Sequence, residues 1–554
     1  MSDMKQSLKI IPLGGLREIG KNMTAIEYDD EIIIIDCGMT FPEDEMLGID
    51  IVIPDISYLL KNEHKVKGIL LTHGHEDHIG SVPYFLKKIK VPIYATKLTL
   101  GLLENKLREH LIENVQLNII EPSQSIEIGK YEIEFIRTTH SIPDSVAMAI
   151  HTPVGTIVHT GDFKIDFTPI DGKVTDLHKL ARLGEDGVLV LMADSTNVER
   201  PGYTMSEKNV GNAFNNIFGT AKQRIIIATF ASNVYRIQQI IDSAVLFNRK
   251  IVVSGRSMVN VVHVASELGY LNIPDGTLID IRDMKDYPDD KVVVITTGSQ
   301  GEPMSALTRI AASTHRQVQL MPGDLVIISA TPIPGNEKTV SNVINQLFEK
   351  GADVVYESLA DVHVSGHACQ EELKLMHSLL KPKYFIPAHG EYRHLRRHSI
   401  LAQELGMDKE NIFIAKNGSV IEFTSDSGKI TGNVPSGNIL VDGLGVGDVG
   451  NMVLKDRKQL SSDGLIVVIA YVNKEDKSIY TSPYIVSRGF VYVKESENLM
   501  NEVKQVVKNS LIECEKENIE EWSRIKSSIR NSLSRFLYSK IDRQPMILPI
   551  IMEV

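Results

Sequence analysis

A short segment of this sequence, LLTHGHEDHIG at residues 70–80, concentrates side chains that bind metal ions. Three histidines and two acids fall within six consecutive positions. Imidazoles suit zinc and similar transition metals, and a carboxylate helps to hold a second ion. Burying four such groups in one turn without a cation would be costly. The segment therefore predicts a metal centre, and Glu76 has no assigned role in it. The expected ligands are His73, His75, Asp77 and His78.

One turn cannot complete two coordination shells, so other parts of the chain must supply the remaining ligands. The candidates at the ends of other predicted strands are His140 in RTTHSIPDS, Asp162 in HTGDF and His389 in PAHGE. The expected ligands of one ion are His73, His75 and His140. The expected ligands of the other are Asp77, His78 and His389. Asp162 is expected between them, because a carboxylate can bridge two ions. Ions about 3.5–4 Å apart can share a hydroxide and stabilise both oxygens of a displacement at phosphorus.

The elements that must position these residues are buried strands. Four apolar runs end in histidine or acid: EIIIID (31–36), VKGILLTH (66–73), GTIVHTGD (155–162) and GVLVLMADS (187–195). In layered α/β folds, sites gather where strands end and loops begin. Residues 206–365 alternate apolar strands with helical stretches, which is typical of a parallel sheet with crossover helices. KYFIPAHGE (383–391) is again an apolar run that ends near a histidine, like the runs before residue 200. We therefore expect residues 206–365 to form a domain inserted into the first.

The predicted fold class is α/β, with five segments. A first domain covers residues 1–205 and continues at 366–435, on either side of the inserted domain at 206–365. The glycine-rich stretch SGNILVDGLGVGDVGN is interpreted as the start of a linker at 436–460. A smaller α+β domain is expected at 461–554.

One helix of the last domain, around Trp522, has apolar residues at i+4 spacing and basic residues on its other face. The apolar positions are Ile525, Ile529, Leu533 and Leu537. The basic positions are Arg524, Lys526, Arg530 and Arg535. The pattern predicts a solvated helix face packed on a small sheet, with RNA contact or partner docking as the alternatives.

Composition limits the functional classes. The chain has 554 residues, a net charge of −12 and three separated cysteines, Cys37, Cys369 and Cys514. An acidic total argues against general nucleic-acid binding, but not against a local channel or a metal site that supplies positive charge. A disulfide framework is not expected. Neither a signal peptide nor an apolar run of ~18 residues is seen, so we expect a cytoplasmic protein without membrane contact.

The pattern HxHxDH, with a downstream histidine, a strand-end Asp162 and a late His389, resembles the metallo-β-lactamase superfamily. Its lactamases usually carry a cysteine where Asp162 stands, so the resemblance points to the glyoxalase and nuclease branches. An α/β insertion before the last ligand is similar to the β-CASP nucleases, whose extra motifs match Asp194 in MADSTN, His367 in HVSGHA and His389. RNA-directed members carry histidine at that last position. GGLREIGKN (14–22), residues 296–311 and 329–337, and the C-terminal domain further resemble the bacterial ribonuclease J family.

This resemblance implies an αββα metallo-β-lactamase sandwich with an inserted β-CASP domain and a small α+β C-terminal domain. It implies two zinc ions, with manganese or magnesium possible in the catalytic site. The implied activity is hydrolysis of RNA phosphodiesters, both 5′-to-3′ from 5′-monophosphate ends and internally, in mRNA decay and rRNA maturation. A homodimer or homotetramer is implied, with a paralogous subunit and a helicase as further partners. The candidate catalytic residues are His367, Asp77 and Asp194.

Two segments are candidates for binding RNA phosphates. In HVSGHA, glycine lets the backbone approach a phosphate closely, and His367 could protonate the leaving 3′-oxygen or stabilise negative charge in the transition state. Its candidate residues are His363, Val364, Ser365, Gly366, His367 and Ala368. A structural turn with an ordered histidine is the alternative interpretation. In ATFASNVYR (228–236) the 5′-monophosphate is expected to bind, and a helix N-cap is an equally open and compatible interpretation. Its candidate residues are Ser232, Asn233 and Val234. Asp194 is interpreted as a partner that holds a ligand histidine.

A structural calcium comes from the family resemblance alone. The matching positions are Gly48, through its carbonyl, Asp50 and Asp442. Oxygen ligands suit calcium, but exposed loop acids are an equally open interpretation.

Three other functions remain in view. One is an endonuclease that resembles the eukaryotic pre-mRNA 3′-end cleavage factor, against which the bacterial-type C-terminal domain argues. Another is a glyoxalase-type hydrolase of small esters, which would need no second domain. The last is an inactive scaffold in an RNA-decay complex, against which the complete ligand set argues.

Overall fold

A computed structural model of the chain describes residues 7–300, 302, 305–333, 336–473, 481–491, 497–517, 519 and 521–554. These residues form two compact units. The first consists of Met1–Thr40 and Ile53–Asn438, and the second of Phe41–Val52 and Ile439–Val554. No helix in the described ranges has the length and apolar character needed to cross a membrane.

The chain begins with a strand-rich region. Its strands are β1 (Leu8–Gly14), β2 (Leu16–Arg17), β3 (Met23–Tyr28), β4 (Glu31–Ile35), β5 (Ile51–Pro54), β6 (Val66–Leu70), β7 (Ile93–Ala95), β8 (Leu117–Ile119), β9 (Ser125–Ile128), β10 (Tyr131–Arg137), β11 (Val146–Thr152), β12 (Gly155–His159) and β13 (Val190–Asp194). Its helices are α1 (Ser57–Lys61), α2 (Glu76–Ile79), α3 (Val82–Leu86), α4 (Lys97–Glu109) and α5 (Leu177–Asp186), with a 3-10 helix at Glu63–Lys65.

The middle of the chain forms a parallel sheet. Its strands are β14 (Ile225–Ala228), β15 (Lys250–Ser254), β16 (Val292–Thr296), β17 (Leu325–Ile328) and β18 (Asp353–Tyr356). Its helices are α6 (Lys208–Thr220), α7 (Val234–Leu246), α8 (Arg256–Glu267), α9 (Ala306–Ala311) and α10 (Glu337–Glu349), with 3-10 helices at Met284–Asp286 and Asp289–Lys291. The order β15-β16-β14-β17-β18, with all described pairs parallel, agrees with the expected crossover topology.

The chain then returns to its first sheets. The strands are β19 (Tyr384–Ala388), β20 (Gly390–Glu391), β21 (Ser419–Phe423) and β22 (Gly428–Asn433), and the helices are α11 (Gln370–Leu380) and α12 (Tyr392–Glu404), with a 3-10 helix at Lys409–Asn411. β19 pairs in parallel with β13, and β21 pairs with β1. The parallel domain is therefore inserted between two halves of one sandwich.

Two sheets make that sandwich. One has the order β22-β21-β1-β3-β4-β6-β7-β8 and the other β19-β13-β12-β11-β10-β9. Their facing sides share a fully buried core that includes Ile10, Ile33 and Phe135. On the outer side of the second sheet, Phe385 packs with Leu180 of α5, Leu373 of α11 and Leu401 of α12. On the outer side of the first sheet, α3 and α4 pack against β6 and β7. Burial on both faces explains why the strands are continuous apolar runs. The expected αββα fold with an insertion is confirmed.

The second unit contains a separate small core. Its elements are β23 (Asn438–Asp442), β24 (Gly445–Val446), β25 (Leu465–Val472), β26 (Tyr484–Arg488), β27 (Met546–Glu553), α13 (Asn451–Asp463), α14 (Glu497–Lys516) and α15 (Trp522–Ile541). The sheet order is β26-β25-β27. The four apolar residues expected on the helix around Trp522 are all buried in this core.

Regular structure occupies much of the stretch interpreted as a linker. β23 and β24 form a hairpin there, and α13 begins at Asn451. Gly443 has a φ of 57° in the hairpin turn, where a left-handed backbone favours glycine. The glycines that suggest a flexible linker therefore serve a tight turn.

The two family-resembling stretches at 296–311 and 329–337 are only partly described. Gln300 bonds to Thr331 and Ile333, so their described parts touch. Residues 301, 303–304 and 334–335 lie outside the described residues.

Candidate metal centre

Strand ends deliver the candidate ligands to one edge of the sandwich. His73 and His75 follow β6, and α2 carries the next two candidates. The remaining candidates follow β10, β12 and β19. β4 and β6 are parallel, as are β12, β13 and β19, so the carboxyl ends of each set coincide. His389 has a φ of 49°, a left-handed backbone that turns the chain sharply after β19.

The first group of metal-type ligands consists of His73, His75, His140 and Asp162, with ligand atoms that all lie within 4.8 Å of one another. His75 Nδ1 lies 3.0 Å from His73 Nε2 and 3.1 Å from His140 Nε2. Asp162 Oδ2 lies 3.8 Å from His73 Nε2. Three imidazole nitrogens thus converge with one carboxylate oxygen, a donor set that suits zinc.

The second group consists of Asp77, His78, Asp162 and His389. His78 Nε2 lies 3.2 Å from Asp162 Oδ2 and 3.5 Å from Asp77 Oδ2. His389 approaches the other oxygen of Asp162, with 2.9 Å between Nδ1 and Oδ1. Asp162 is common to both groups. The structure therefore brings all seven nominated side chains together in the grouping expected from the sequence.

The histidines of the first group are neutral, which favours binding of a metal cation. Burial lowers the pKa of His75 to about 4. Burial, together with His78 and His75, holds the pKa of His73 well below its usual range, and burial with His75 does the same for His140. Neutral imidazoles keep the lone pair that a metal ligand needs.

The second group contains two carboxylates, which favour positive charge on the histidines beside them. Burial opposes protonation of His389, but Asp162 raises its pKa to about 10. Burial likewise opposes the charge of His78, and Asp162, Asp77 and Asp36 together raise its pKa. These histidines are protonated because the neighbouring carboxylates stabilise positive charge. A bound metal ion would supply that charge and displace the protons. His389 Nε2 is also buried with no hydrogen-bond partner among the described residues. The residues therefore fit divalent metal ions.

A buried aspartate that the sequence analysis did not nominate supports the centre. Asp36 Oδ2 lies 2.7 Å from His78 Nδ1 and accepts a bond of 2.9 Å from Thr72 Oγ1. The backbone N–H of Thr72 also donates to Asp36. Such partners orient ligand histidines. The signal was present, because EIIIID ends at Asp36 and β4 is the parallel neighbour of the strand that precedes His73.

Asp194 and His367 form a pair beside the metal-type groups. His367 Nδ1 lies 2.8 Å from Asp194 Oδ2 and 3.9 Å from Asp162 Oδ2. Thr196 donates to Asp194 through both its N–H and its hydroxyl. Burial opposes the charge on His367, but Asp194 raises the pKa of that imidazole. Asp194 thus holds His367, and its other oxygen lies 3.7 Å from the ligand candidate His389.

The candidate phosphate segment 363–368 is fixed from several sides. Gly366 O accepts a bond of 2.7 Å from His140 Nδ1, which turns His140 Nε2 toward the centre. Asn197 donates to Ser365 Oγ and to His367 O. The side chains of Val364 and Ala368 are buried, so a ligand would meet only their backbone. Asn197 had not been nominated from the sequence, although it lies in MADSTN beside Asp194.

A buried arginine joins this segment to the other phosphate candidates. Arg236 belongs to the first turn of α7, which Asn233 caps by accepting from the N–H of Arg236. The Arg236 guanidinium donates to His363 Nδ1 at 2.8 Å and to Val364 O at 3.2 Å. It also forms a two-bond ion pair with Glu207. The N-cap interpretation of Asn233 thus holds, and Ser232 and Val234 stand at the same helix start.

The nominated calcium residues have partners within the chain. Asp442 Oδ2 lies 2.5 Å from Arg457 Nη2, and the same guanidinium donates to Leu47 O. Asp50 Oδ2 accepts from the N–H of Gly443. A Cβ on Gly48 would lie 2.8 Å from Arg457 Nη1. Arg457 and the N–H of Gly443 thus engage one oxygen of each aspartate, and no observation supports the expected calcium ion.

Comparison with known proteins agrees with this geometry. Residues 16–190 match the family model of the metallo-beta-lactamase superfamily, and 351–415 that of a Zn-dependent metallo-hydrolase RNA specificity domain. Residues 222–347 match the ribonuclease J beta-CASP domain, and 452–554 match the ribonuclease J C-terminal domain. A crystal structure of an Enterococcus faecalis protein of unknown function has the same fold, with a TM-score of 0.53, 16% identity and coverage of 75% of this chain and 100% of that one.

Full-length relatives are much more similar. Ribonuclease J2 of Bacillus subtilis is 48% identical over 550 residues, which are 99% of each chain. Ribonuclease J 1 of Streptococcus pyogenes is 48% identical over 98% of this chain and 97% of its own. Ribonuclease J of Thermus thermophilus is 45% identical over 99% of this chain and 95% of its own. Identity at this level over the whole length shows that the chain belongs to the ribonuclease J family, the metal-dependent hydrolases of RNA that carry a β-CASP insertion.

Proposed function

We propose that this ribonuclease degrades RNA from 5′-monophosphate ends in the 5′-to-3′ direction and also cuts internally. Its processes would be mRNA decay and rRNA maturation in the cytoplasm, as the family resemblance implies. One observation carries the proposal: Gly366 of the candidate phosphate segment bonds directly to the metal-type ligand His140. A phosphate held by that segment would therefore lie close to the metal centre.

The proposed 5′-phosphate site lies where α7 begins. Helix N-termini attract phosphate because their first N–H groups lack partners within the helix. Ser232 precedes that helix, and Arg236 of its first turn binds His363 and Val364. Ser365 Oγ accepts from Asn197, which leaves its proton free to donate to a phosphate oxygen. A 5′-triphosphate carries more charge and bulk than a 5′-monophosphate, and we propose that the site prefers the monophosphate.

The side chains near the centre divide the work of hydrolysis. Two divalent ions, which we propose to be zinc with manganese or magnesium as substitutes, would supply Lewis-acid activation of water and of the phosphoryl oxygens. Asp162 would hold the two ligand groups together, with Asp77 as a second carboxylate. His367, held by Asp194, would protonate the leaving 3′-oxygen.

We also propose a homodimer or homotetramer, with the second unit supplying contacts. One face of its sheet carries exposed apolar side chains, and the opposite face packs on α14 and α15. The exposed fractions are 48% for Leu548, 38% for Ile550, 47% for Met552 and 60% for Tyr484. A second copy of the chain is the proposed cover for this face. The paralogous subunit and the helicase are further proposed partners.

One assay tests the nuclease proposal. Purified protein with zinc or manganese receives three RNAs of one sequence: 5′-monophosphorylated, 5′-triphosphorylated and circular. We expect faster loss of the monophosphorylated strand and slower cutting of the circle. His75→Ala should abolish both activities, and His367→Ala should lower both at least 100-fold because the proton donor is lost.

The matched control is His263→Ala, an exposed histidine of α8 that pairs with Glu267. It should cut like the parent protein. Equal rates for monophosphate and triphosphate ends would contradict the 5′ site, and an intact circle would contradict internal cutting. Undiminished activity in His75→Ala would contradict the metal centre itself.

A further inference from the structure

The last helix of the chain has an unusual charge composition. α15, from Trp522 to Ile541, contains five lysines and arginines and no aspartate or glutamate. The whole protein carries 71 acids against 59 lysines and arginines, so an acid-free helix of 20 residues runs against its general balance. The neighbouring α14 has the same length and four glutamates. The positive charge is therefore local to α15.

The charges are not needed to hold α15 in place. Ile525, Ile529, Leu533 and Leu537 fill the small core from one face of the helix. Arg524 and Arg535 stand eleven positions apart, which returns them to the same side of a helix, away from that core. Ser528 and Asn531 lie between them at i+4 and i+7 from Arg524. Two guanidinium groups thus bracket neutral hydrogen-bonding side chains.

This side of the helix lines a polar groove of about 360 Å³. Its lining includes Arg524, Ser527, Ser528, Asn531 and Arg535. Among the described residues, no carboxylate forms an ion pair with Arg524 or Arg535, whereas Lys540 at the end of the helix pairs with Glu502. Within the part of the chain that the structure describes, the groove therefore presents guanidinium groups that form no ion pair with an acid.

We propose that this groove binds the backbone phosphates of single-stranded RNA, at a surface separate from the metal centre. Arg524 and Arg535 are roughly 16 Å apart along the helix at 1.5 Å per residue. Successive phosphates of one nucleic-acid strand advance by about 3.4 Å, so the groove can follow several of them. Arginine binds phosphate through two parallel bonds, and the amide of Asn531 adds a donor without sequence preference. The surface would retain long substrates during repeated cleavage.

The test measures binding without hydrolysis. Full-length protein in excess EDTA binds fluorescent poly(U), and affinity is measured over a series of salt concentrations. The double variant Arg524→Gln/Arg535→Gln should bind at least severalfold more weakly. The slope of log affinity against log salt should fall by roughly 1.4, because each lost phosphate contact removes about 0.7 for a single strand.

The matched control is Lys504→Gln/Lys508→Gln, which removes two charges from α14. Its salt slope should equal that of the parent protein, and both variants should melt at the parent temperature. Equal loss of slope in both variants would overturn the proposal, because net charge alone would then explain binding. Binding to anionic lipid vesicles is measured in parallel. If Arg524→Gln/Arg535→Gln loses vesicle binding but keeps poly(U) binding, the groove is a membrane contact and the proposal is wrong.

A second measurement keeps this surface distinct from the active site. Hydrolysis of a trinucleotide should be unchanged in the α15 variant, since three nucleotides at about 3.4 Å each are too short to follow the groove between Arg524 and Arg535. Its KM for a long RNA should rise while kcat stays constant. If no RNA is cut at all, the nuclease proposal is wrong. The binding measurement in EDTA still tests the RNA-binding proposal, because it requires no hydrolysis.

Discussion

At Gly366 the backbone passes directly beneath a ligand candidate. A Cβ placed there would lie 2.6 Å from His140 Cε1 and 2.7 Å from its Nδ1. Real Cβ atoms do not approach other heavy atoms so closely, so any larger residue must displace either the segment or the imidazole. The absence of a side chain is therefore what lets Gly366 O bind His140.

Gly366→Ala is expected to lower both zinc affinity and RNA hydrolysis, by roughly 100-fold, the upper range for loss of a partner that orients a metal ligand. Zinc affinity by competition with a chelator and kcat/KM on a monophosphorylated RNA measure the two effects. Gly432→Ala is the control, because a Cβ there meets nothing within 4 Å. A variant with normal zinc affinity would show that His140 does not depend on this contact.

His377 offers a titration that is separate from the metal centre. Its ring is buried against Phe385, and its Nε2 lies 3.3 Å from His398 Nε2. Burial lowers the pKa of His377 to about 4, against ~6.5 in an unfolded chain. Between those values the unfolded chain binds a proton that the folded chain refuses. The contribution to stability is complete above pH ~6.5 and is lost as the pH falls toward 4.

His377→Gln should reduce this acid sensitivity. The free energy of unfolding of the parent protein should fall by up to about 3 kcal/mol more than that of the variant between about pH 7 and pH 4. Urea unfolding at both pH values, in EDTA to exclude metal, measures the difference. Parallel losses in the two proteins would mean that His377 carries no such penalty.

At the scale of elements, α7 connects the inserted domain to the phosphate segment. The guanidinium of Arg236 is fully buried, and all five of its N–H groups have acceptors. Those acceptors belong to Glu207, Ser329, His363 and Val364. Because Nη1 donates to His363 Nδ1, the proton of a neutral His363 resides on Nε2. One arginine thus fixes both the position and the tautomer of the segment.

Arg236→Lys should raise the KM for monophosphorylated RNA about tenfold or more, with a smaller change in kcat. Lysine keeps the charge but cannot reproduce a planar fork of five donors. Arg224→Lys is the matched control, since Arg224 forms a similar buried pair with Asp324 in the same domain without touching the segment. Equal KM changes in both variants would indicate general weakening of the domain rather than positioning.

At the scale of elements, the sequence predicted some features of the fold and site well and others poorly. Apolar runs ending in histidine or aspartate predicted a layered α/β fold, the inserted parallel sheet and the convergence of seven side chains, whereas the αββα sandwich followed from the family resemblance. Arg236 was not nominated because an arginine within a helix is usually solvated, and Asp36 was not nominated because the ligand set was complete without it. Their roles depend on tertiary neighbours far away in sequence. Glycine occurs in flexible chain and in tight turns alike, so the glycine-rich stretch at 436–460 predicts a linker where the structure has a hairpin and the start of a helix.

At the scale of the whole molecule, the sheet face of the second unit is the proposed contact between copies. β25 and β27 run parallel, with Val467 opposite Leu548 and Ile469 opposite Ile550. These positions alternate with buried residues, so every second side chain points outward. Burial of such a face against a second copy removes apolar surface from water.

Leu548→Glu/Ile550→Glu should convert the oligomer into a monomer, because buried carboxylates would face each other across the contact. Sedimentation equilibrium measures the mass, and the melting temperature of the monomer should fall. Leu444→Glu is the control, an equally apolar and fully exposed residue of the β23–β24 turn. An unchanged mass in the double variant would place the contact elsewhere.

The insertion also sets when activity can begin during synthesis. Asp162 leaves the ribosome long before His389, because the entire inserted domain is translated between them. β13 must likewise wait for its partner β19. Chains fold as they emerge, N-terminal domains first, but this centre stays one ligand short until His389 has been translated. A growing chain therefore lacks the full ligand set until the inserted domain and the strand after it have been synthesised.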